Sequence, residues 1–375
     1  MIEISQIKLP CGSDPSLLEG KIRKLLRLSR EEHFRFELSH HSVDARKKPV
    51  LYDVYSVRVE LFSKEKEKKL IQKLSGGASH VRPVTEKAYS FPEAMEGARP
   101  LTGRPVIIGF GPAGLFCALE LAKAGYRPIV LERGQRMEDR IRTVEHFFRS
   151  GELNPESNIQ FGEGGAGTFS DGKLNTLTKD PDGRSRFILN LFVGYGADAS
   201  ILIDAKPHVG TDCLVDVVRG IRYEIEALGG EIHFHTKFTY DPVRDRDRKI
   251  ILAIGHSARD SYEELYATGL HMEAKDFAMG FRVQHPQTMI DTDLYGAVDA
   301  ETRRALGPGA YKLTHTSAKN GRGVYSFCMC PGGYVVNSSS EPGRLCVNGM
   351  SYHARDGKNA NAAIIVSIRK TDYDG

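Results

Sequence analysis

Three glycines in the spacing Gly-x-Gly-x-x-Gly, namely Gly109, Gly111 and Gly114, point more directly to a chemistry than any other residues of this chain. In such a motif the first glycine permits a tight turn, and the second lets backbone N–H groups approach a pyrophosphate. The third lets a helix lie close to a sheet. Pro112 and Ala113 occupy the intervening positions. The motif therefore predicts a binding site for a dinucleotide.

The elements around this motif complete a βαβ unit. Residues 106–108 are a short apolar strand, and residues 112–123 form a helical pattern whose N terminus would face the phosphate. Gly125 is suited to cap this helix. The next strand, residues 128–131, ends at Glu132, where a carboxylate can accept hydrogen bonds from ribose hydroxyls and disfavours a 2′-phosphate. A tight strand-to-helix turn without a ligand is the weaker alternative, because all these features follow in register.

A glycine-dense loop follows the βαβ unit. It contains the cofactor-binding candidates Gly162, Gly164, Gly165, Ala166, Gly167 and Thr168. Such a loop can wrap backbone donors around a second, larger part of a ligand. A plain nicotinamide domain would continue with a helix and a third parallel strand within about 30 residues. Here the next clear helix-then-strand pattern spans residues 211–236, well beyond that distance.

Several segments carry a resemblance to known flavoproteins. The glycine motif, the run 132–134 and the strand 250–255 with its Ala-x-Gly end resemble the FAD domain of glutathione-reductase-type flavoproteins. More narrowly, residues 157–174, 277–287 and 325–336 are similar to bacterial FAD-dependent dehydrogenases, also called NAD(P)/FAD-dependent oxidoreductases. The resemblance covers nearly the whole chain. It implies an α/β fold, FAD as cofactor and oxidoreductase activity on a small-molecule substrate, which the family name does not specify.

Charged residues of the predicted flavin-binding part are further candidates for contacts with FAD. Arg133 and Arg140 could pair with the pyrophosphate, although solvation at the surface accounts equally well for Arg140. Lys173, with Asp171, could lie beside the isoalloxazine ring, where a cation near N1 stabilises the reduced flavin. A salt bridge that holds the loop is the alternative for these two residues. The complete predicted set is Gly109, Gly111, Pro112, Ala113, Gly114, Glu132, Arg133, Arg140, Gly162, Gly164, Gly165, Ala166, Gly167, Thr168, Lys173, Lys237, Ala253 and Gly255.

Four residues are candidates for catalysis: Cys328, Cys330, Lys173 and His285. A Cys-x-Cys pair can form a strained disulfide that exchanges electrons with flavin, or can supply two soft metal ligands. Its spacing is not that of common redox or zinc sites, and cysteine is often buried, which favours a structural role. No metal site is therefore predicted. His285 could act as a general acid beside Arg282 as an anion clamp, with a structural histidine as the alternative.

The length of 375 residues predicts two or three domains. We expect a ferredoxin-like α+β domain over residues 1–88, a linker over 89–103, and a Rossmann-like FAD-binding domain over 104–375 with a mainly-β substrate lobe inserted at about 261–350. No second Gly-x-Gly-x-x-Gly follows a strand, so NAD(P)H, if used, would dock only transiently. The predicted elements of the first domain are strand 2–9, helix 14–28, strands 33–42 and 50–62, helix 63–74 and strand 80–85.

The positive charge is concentrated in the first hundred residues, which contain 19 Lys and Arg against 14 Asp and Glu. A phosphate-binding patch would make the protein an RNA-associated flavoprotein. Its candidate residues are Lys21, Arg23, Lys24, Arg27 and Arg30, with Arg46, Lys47 and Lys48 in the following loop. The strands lack an aromatic RNA-binding signature, which favours a solvated helix face and no nucleic acid partner.

The composition of the whole chain, with 40% hydrophobic and 27% charged residues, is that of an ordinary globular protein. Six cysteines without regular spacing, no signal peptide and no long apolar run predict a cytoplasmic protein without a membrane partner. Members of the resembling family continue past the strand at residues 361–368. We therefore expect a C-terminally incomplete member, with a truncated FAD-binding remnant of little activity as an alternative.

Overall fold

The computed structural model describes residues 1–74, 80–84, 88–92, 101, 103–176 and 178–373. The chain forms two compact units. The first unit comprises Met1–Tyr89, Lys173–Val209 and Gln287–Ala310, and the second unit comprises Ser90–Gly172, Gly210–Pro286 and Tyr311–Gly375. The sequence-based division places the two later segments of the first unit in the FAD-binding domain instead. Most of the predicted linker, and Thr85 at the end of a predicted strand, lie outside the described residues.

The described part of the chain contains both helices and strands, as expected of the α/β class. In chain order they are β1 (Ile2–Pro10), α1 (Leu17–Leu25), β2 (Phe34–Asp44), β3 (Tyr52–Leu61), α2 (Lys64–Leu74), β4 (Val81–Pro83), β5 (Val106–Ile108), α3 (Pro112–Lys123), β6 (Ile129–Leu131), α4 (Met137–Ser150), α5 (Arg184–Gly194), α6 (Thr211–Ala227), β7 (Glu231–His233), β8 (Ile250–Leu252), α7 (Arg259–Ala267), β9 (Phe277–Pro286), α8 (Gln287–Tyr295), α9 (Ala300–Leu306), β10 (Thr314–Thr316), β11 (Gly323–Cys330), β12 (Tyr334–Asn337), β13 (Val347–Met350) and β14 (Asn359–Ile368). Short 3₁₀ turns occupy Gly165–Phe169, Ala199–Leu202 and Lys370–Asp372.

The first unit contains an antiparallel sheet in the order β2-β3-β1-β4. Its strands largely alternate apolar and polar residues, so that one face is buried and the other carries charged residues such as Arg35 and Glu60. On the buried face Ile2 lies opposite Val59 and Ile4 lies opposite Val57. Helix α1 covers this face with residues that recur every four positions, and they join a buried core. The core members contributed around α1 are Leu18, Ile22 and Leu26.

The second unit contains a parallel sheet in the order β7-β6-β5-β8. Ile107 of the central strand β5 lies opposite Val130 on one side and Ile251 on the other. Strands β5, β6 and β8 are entirely apolar, as is typical of parallel strands covered by helices, whereas the edge strand β7 is Glu231-Ile232-His233. Helix α3 spans the predicted residues 112–123 and buries Leu115 and Leu119. The sheet therefore fixes the glycine turn at the carboxyl end of β5.

The second unit also contains an antiparallel sheet in the order β10-β11-β14-β9 and a hairpin of β12 and β13. Strand β14 pairs with β9 over ten residues, from Phe277 opposite Ile368 to Pro286 opposite Asn359. Its pairing with β11 is interrupted by an irregularity between Phe327 and Cys330. This sheet holds the predicted catalytic cysteines.

Candidate functional site

A cavity of about 420 Å³ lies in the second unit at the carboxyl ends of β5, β6 and β8. Its volume falls within the range of ligand pockets, and its position is where open α/β sheets bind ligands. Most of the residues predicted to bind FAD line it. They are Gly109, Gly111, Pro112, Ala113, Glu132, Arg133, Gly162, Gly165, Ala166, Gly167, Lys237, Ala253 and Gly255.

The three glycines of the motif have different reasons for lacking a side chain. Gly109 has φ +94°, and a Cβ there would lie 2.5 Å from the carbonyl oxygen of Ala253. A Cβ at Gly114 would overlap the carbonyl oxygen of Gly109. At Gly111, by contrast, a Cβ would only touch Cα of Gly165 at 3.7 Å, an ordinary contact. The fold therefore requires the first and third glycines, whereas the second keeps the cavity open.

The N terminus of helix α3 faces the same turn. Gly111 is its N-cap residue and provides no side chain to satisfy the first-turn N–H groups. Pro112 at the start of the helix has no N–H, so the donors without an intrahelical acceptor include those of Ala113 and Gly114. A helix terminus of this kind favours an anion, through these donors and through the positive end of the helix dipole.

Glu132 binds the backbone of three segments through a buried carboxylate. Its Oε2 accepts a hydrogen bond from the N–H of Phe110 at 2.7 Å. Its Oε1 accepts from the N–H groups of Gly134 at 2.9 Å and Gly162 at 3.0 Å. A carboxylate has about four acceptor positions, so Oε2 retains one for a further donor. Because Glu132 also lines the cavity, a ribose hydroxyl can supply that donor.

Arg140 binds backbone carbonyl groups of the protein and does not make the predicted contact with a pyrophosphate. Its side chain is fully buried and donates to the carbonyl oxygens of Asn158, Ile159, Glu163 and Gly165. The guanidinium also lies 4.8 Å from the centre of the Phe169 ring. Burial lowers the pKa of Arg140 to about 10. Since Arg140 does not line the cavity, it acts on the glycine-dense loop by holding its carbonyl groups.

A buried ion pair holds the other side of this loop, and the sequence analysis missed it. Arg222 of α6 donates through Nε to Oε1 of Glu163 at 2.8 Å, and both side chains are fully buried. Arg222 also pairs with Glu138 of α4 at 2.7 Å. Burial raises the pKa of Glu163. The sequence does contain one indication of this pair. Arg222 follows Ile221 in the apolar stripe of α6, and a charged residue that is buried there needs a partner of opposite charge.

Charged residues at the cavity rim are paired with one another. Arg133 makes two hydrogen bonds with Glu156 and two with Asp260, all at 2.9 Å, above the ring of Phe161. Lys237 lies 2.8 Å from Asp260 and 3.1 Å from Glu264. Burial opposes ionisation of Asp260, but its hydrogen bonds to the two cations outweigh this effect and lower its pKa. The two predicted cations therefore line the cavity with their charge already compensated.

Gln160 is a further cavity residue that sequence analysis did not select. Its Nε2 donates to the carbonyl oxygen of Ser338 at 2.9 Å, and its Oε1 accepts from the hydroxyl of Ser257 at 3.1 Å. Asn158 fixes the loop by accepting from the N–H groups of Gln160 and Phe161. These polar residues lie in the segment that was predicted to bind the cofactor mainly through its glycines.

The remaining predicted cofactor-binding residues do not line the cavity. Gly114, Gly164 and Thr168 are not among its lining residues, and the hydroxyl oxygen of Thr168 is buried without a hydrogen-bond partner. Lys173 belongs to the first unit, where it pairs with His208 in an isolated antiparallel bridge. Asp171 accepts from Ser351 and Arg355, which is the salt-bridge alternative for this residue.

The other predicted catalytic residues lie on the antiparallel sheet and not among the residues that line this cavity. Cys330 is fully buried on β11, and its Sγ lies 3.4 Å from the carbonyl oxygen of Cys328. No disulfide joins the six cysteines, all of which the structure describes. The ring of His285 lies 5.6 Å from that of Tyr311, and its Nε2 is buried without a hydrogen-bond partner. Their catalytic roles stay predictions.

The described part of the chain contains neither a group of side chains suited to a metal ion nor a helix long and apolar enough to cross a membrane.

Family models match separate parts of this chain. A FAD-binding domain model matches residues 104–144, which include the glycine turn and Glu132. A model described as FAD-dependent protein, C-terminal domain-like, matches residues 276–375, and a domain of unknown function matches residues 1–60. An uncharacterized protein of Clostridium beijerinckii is 45% identical over 395 residues, which cover 100% of this chain and 70% of the relative.

Proposed function

Because this chain belongs to a family of FAD-dependent proteins, we propose that it is a flavin-dependent oxidoreductase that binds FAD in the cavity of the second unit. The observation that carries this proposal is the space at Gly111. The fold would accept a Cβ there, so a glycine at this position serves something that approaches from the cavity. A pyrophosphate needs such close contact with backbone N–H groups.

The cavity residues fit the other parts of FAD. The first-turn N–H groups of α3 would hold the pyrophosphate, and the remaining acceptor position of Glu132 Oε2 would take a ribose hydroxyl. The loop over Gly165, Ala166 and Gly167 offers backbone along the cavity towards the rest of the cofactor. When bound, FAD supplies the two-electron oxidation or reduction of a small-molecule substrate. The chain itself positions the cofactor and limits its contact with water.

We also propose a fold type for each unit, ferredoxin-like for the first and Rossmann-like for the FAD-binding segment of the second. The strand orders support both. The order β2-β3-β1-β4, with helices after the first and third strands, is that of a ferredoxin-like domain. The order β7-β6-β5-β8 with parallel pairing supports a Rossmann-like arrangement of the FAD-binding segment. We also propose NAD(P)H as the reductant, docked transiently, and the cytoplasm as the location.

The contacts of the basic residues lend no support to the RNA hypothesis. Lys21 donates to the carbonyl oxygen of Lys8, and Arg23 donates to those of Ser29 and Glu32. Arg23 also pairs with Glu19 on its own helix. Cations that already hold backbone carbonyl groups are poor candidates for phosphate contacts. We therefore keep a small molecule, and not a nucleic acid, as the proposed substrate.

The proposal is tested by the absorption spectrum of the purified protein after gel filtration in the presence of added FAD. We expect flavin bands at about one flavin per chain, and bleaching when NADH or NADPH is added without oxygen. Protein that carries no flavin and takes up none would refute FAD binding. Bound flavin that neither nicotinamide nucleotide bleaches would refute only the proposed reductant.

A further inference from the structure

Arg282 of β9 carries a positive charge that no carboxylate compensates within the described residues. Its Nη1 donates to the carbonyl oxygen of Cys328 at 3.2 Å and to the side-chain oxygen of Asn361. Its Nη2 makes a long contact of 3.4 Å with Oδ1 of Asn348. All three acceptors are neutral. Because an arginine side chain stays ionised in proteins, a full charge lies at this half-buried position among neutral groups.

Two N–H donors of this cluster have no hydrogen-bond partner. Nε of Arg282 is shielded from water and unpaired, and so is Nδ2 of Asn361, whose side chain is fully buried. Asn361 lies opposite Gln284, two positions after Arg282, so the two unpaired donors are on one face of the sheet. Buried donors are normally paired. Two such groups side by side therefore indicate a site for an acceptor from outside the protein.

The free donors of Arg282 form the edge of the guanidinium that suits a carboxylate. Nη1 is used by the protein, whereas Nε and Nη2 form the side-on pair of parallel donors that can bind both oxygens of one carboxylate. Nε has no partner, and the contact of Nη2 with Asn348 is too long to be a strong hydrogen bond. The guanidinium is thus held at one corner and keeps its bidentate edge for a ligand.

Arg140 of the same unit provides the comparison with a structural arginine. Its Nε, Nη1 and Nη2 all donate to backbone carbonyl oxygens. Arg133 and Arg355, which are also largely buried, pair with carboxylates instead. Arg282 has neither a complete set of carbonyl acceptors nor a compensating charge. Its surroundings therefore differ from those of arginines that only stabilise the fold.

The fold holds this guanidinium in place by unusual backbone features. Cys328 has φ +46°, a left-handed conformation that is unfavourable for a residue with a side chain, at the irregularity in the pairing of β11 with β14. Gly349 of β13 lies against the same groups, since a Cβ there would overlap Nη1 of Arg282 and lie 2.6 Å from Oδ1 of Asn361. Irregularities of this kind are over-represented beside active sites, where they redirect groups towards a ligand.

The strand that carries Gly349 also contacts the glycine-dense loop. Successive residues of a strand point to opposite faces, so Met350 points away from Arg282. Met350 packs in a buried cluster with Ile159 and Phe169, and the 3₁₀ turn Gly165–Phe169 belongs to the loop that lines the cavity. Strand β13 therefore separates the groups around Arg282 from the proposed cofactor-binding loop.

We propose that Arg282 and Asn361 bind the carboxylate group of a small molecule. Nε and Nη2 of Arg282 donate to its two oxygens, and Nδ2 of Asn361 donates to one of them. One guanidinium compensates the single charge of a carboxylate, whereas a phosphate monoester carries up to two charges. His285 lies three positions further along β9, on the opposite face, and takes no part. That the bound acid is the substrate rests on the proposed flavin-dependent function, whereas carboxylate binding does not.

Thermal unfolding of the full chain without FAD tests the site, with acetate as the probe and chloride at equal ionic strength as the reference. We expect acetate to raise the midpoint by about 2 °C at roughly ten times its dissociation constant. Arg282→Gln should abolish this rise. Arg246→Gln removes the same charge from an exposed loop of the same unit and should retain it.

Three results of this experiment would overturn the proposal. The first is a midpoint that acetate raises no more than chloride up to about 0.2 M. The second is an Arg282→Gln variant that still responds to acetate. The third is a response of the parent chain to inorganic phosphate without one to acetate, which would contradict the assignment to a carboxylate.

A second variant, Asn361→Asp, places a carboxylate of nearly the same shape beside Arg282. Because Oδ1 of Asn361 already contacts the guanidinium, the new charge would compensate it and would remove the unpaired Nδ2. We expect a midpoint without acetate at least as high as that of the parent chain, and no further rise with acetate. A lower midpoint with the acetate response retained would contradict the proposal. Neither measurement involves flavin, so these outcomes are independent of whether the chain binds FAD.

Discussion

Alanine at Gly111 is expected to abolish tight FAD binding while leaving the fold intact. A Cβ there meets Cα of Gly165 at 3.7 Å, a normal van der Waals distance, and the φ of −75° suits any residue. The methyl group would instead occupy space that a pyrophosphate needs. Losing two charge-assisted hydrogen bonds at about 1.5–3 kcal/mol each weakens binding by at least about 100-fold. The thermal midpoint of the apoprotein should change little.

Two further alanine variants complete the comparison. Gly114→Ala should destabilise the protein even without FAD, because its Cβ would overlap the carbonyl oxygen of Gly109. Gly103→Ala should change neither property, because its Cβ would meet nothing within 4 Å. Apoprotein melting is measured by calorimetry, and FAD affinity by fluorescence quenching. If Gly111→Ala retains parental affinity, or loses affinity only as far as it loses stability, the assignment of this turn to a pyrophosphate is wrong.

Three further predictions concern the side chains of Arg140, His41 and Cys330. Arg140→Met leaves buried carbonyl groups without donors, so it should lower the free energy of unfolding by about 3–5 kcal/mol in denaturant titrations and should also prevent FAD uptake. Asp204 and Asp53 raise the pKa of His41 to about 9, so the resulting stability is complete below about pH 6.5 and is lost as pH rises through 9. His41→Gln should remove this decline from melting curves recorded between pH 6 and 10, and an unchanged decline would assign it to another group. Cys330→Ser should leave the spectrum of the two-electron-reduced enzyme unchanged if the buried thiol is structural, whereas loss of a charge-transfer band between a thiolate and the flavin would support its predicted redox role.

The parts of the fold that could be predicted from sequence are those determined by local patterns. Helix α3 spans the predicted residues 112–123, because Pro112 begins it and Gly125 follows its end. Strand β5 likewise has its predicted bounds, since a short apolar run before a glycine turn has few alternatives. The grouping of Lys173–Val209 with the N-terminal segment could not be predicted. It depends on contacts such as the N–H of His41 with the carbonyl oxygen of Ile203, between residues far apart in sequence.

In the candidate site, too, local sequence patterns predicted some residues correctly but not those whose roles depend on distant contacts. Glycines and Glu132 were identified because their spacing in sequence reflects their spacing around a ligand. Arg140 was predicted either to pair with the pyrophosphate or to be solvated at the surface, yet its side chain is buried and its partners are carbonyl groups of residues 158–165. Arg222 and Glu163 are 59 residues apart, and no local pattern relates them. The roles of Arg140, Arg222 and Glu163 depend on the burial of their side chains. That burial results from the packing of α4, α6 and the glycine-dense loop against one another, which sequence patterns do not reveal.

The glycine-dense loop combines two requirements that its composition alone does not separate. Gly162 has φ +115°, and a Cβ there would lie 2.5 Å from Cδ of Arg140, so this glycine serves the buried arginine. A Cβ at Gly167 would meet Cγ of Pro112 only at 3.8 Å, at the edge of the cavity. The first kind of glycine shapes the loop, and the second leaves room for a ligand. A glycine therefore indicates a binding surface only where the surrounding protein would accept a side chain, as at Gly111.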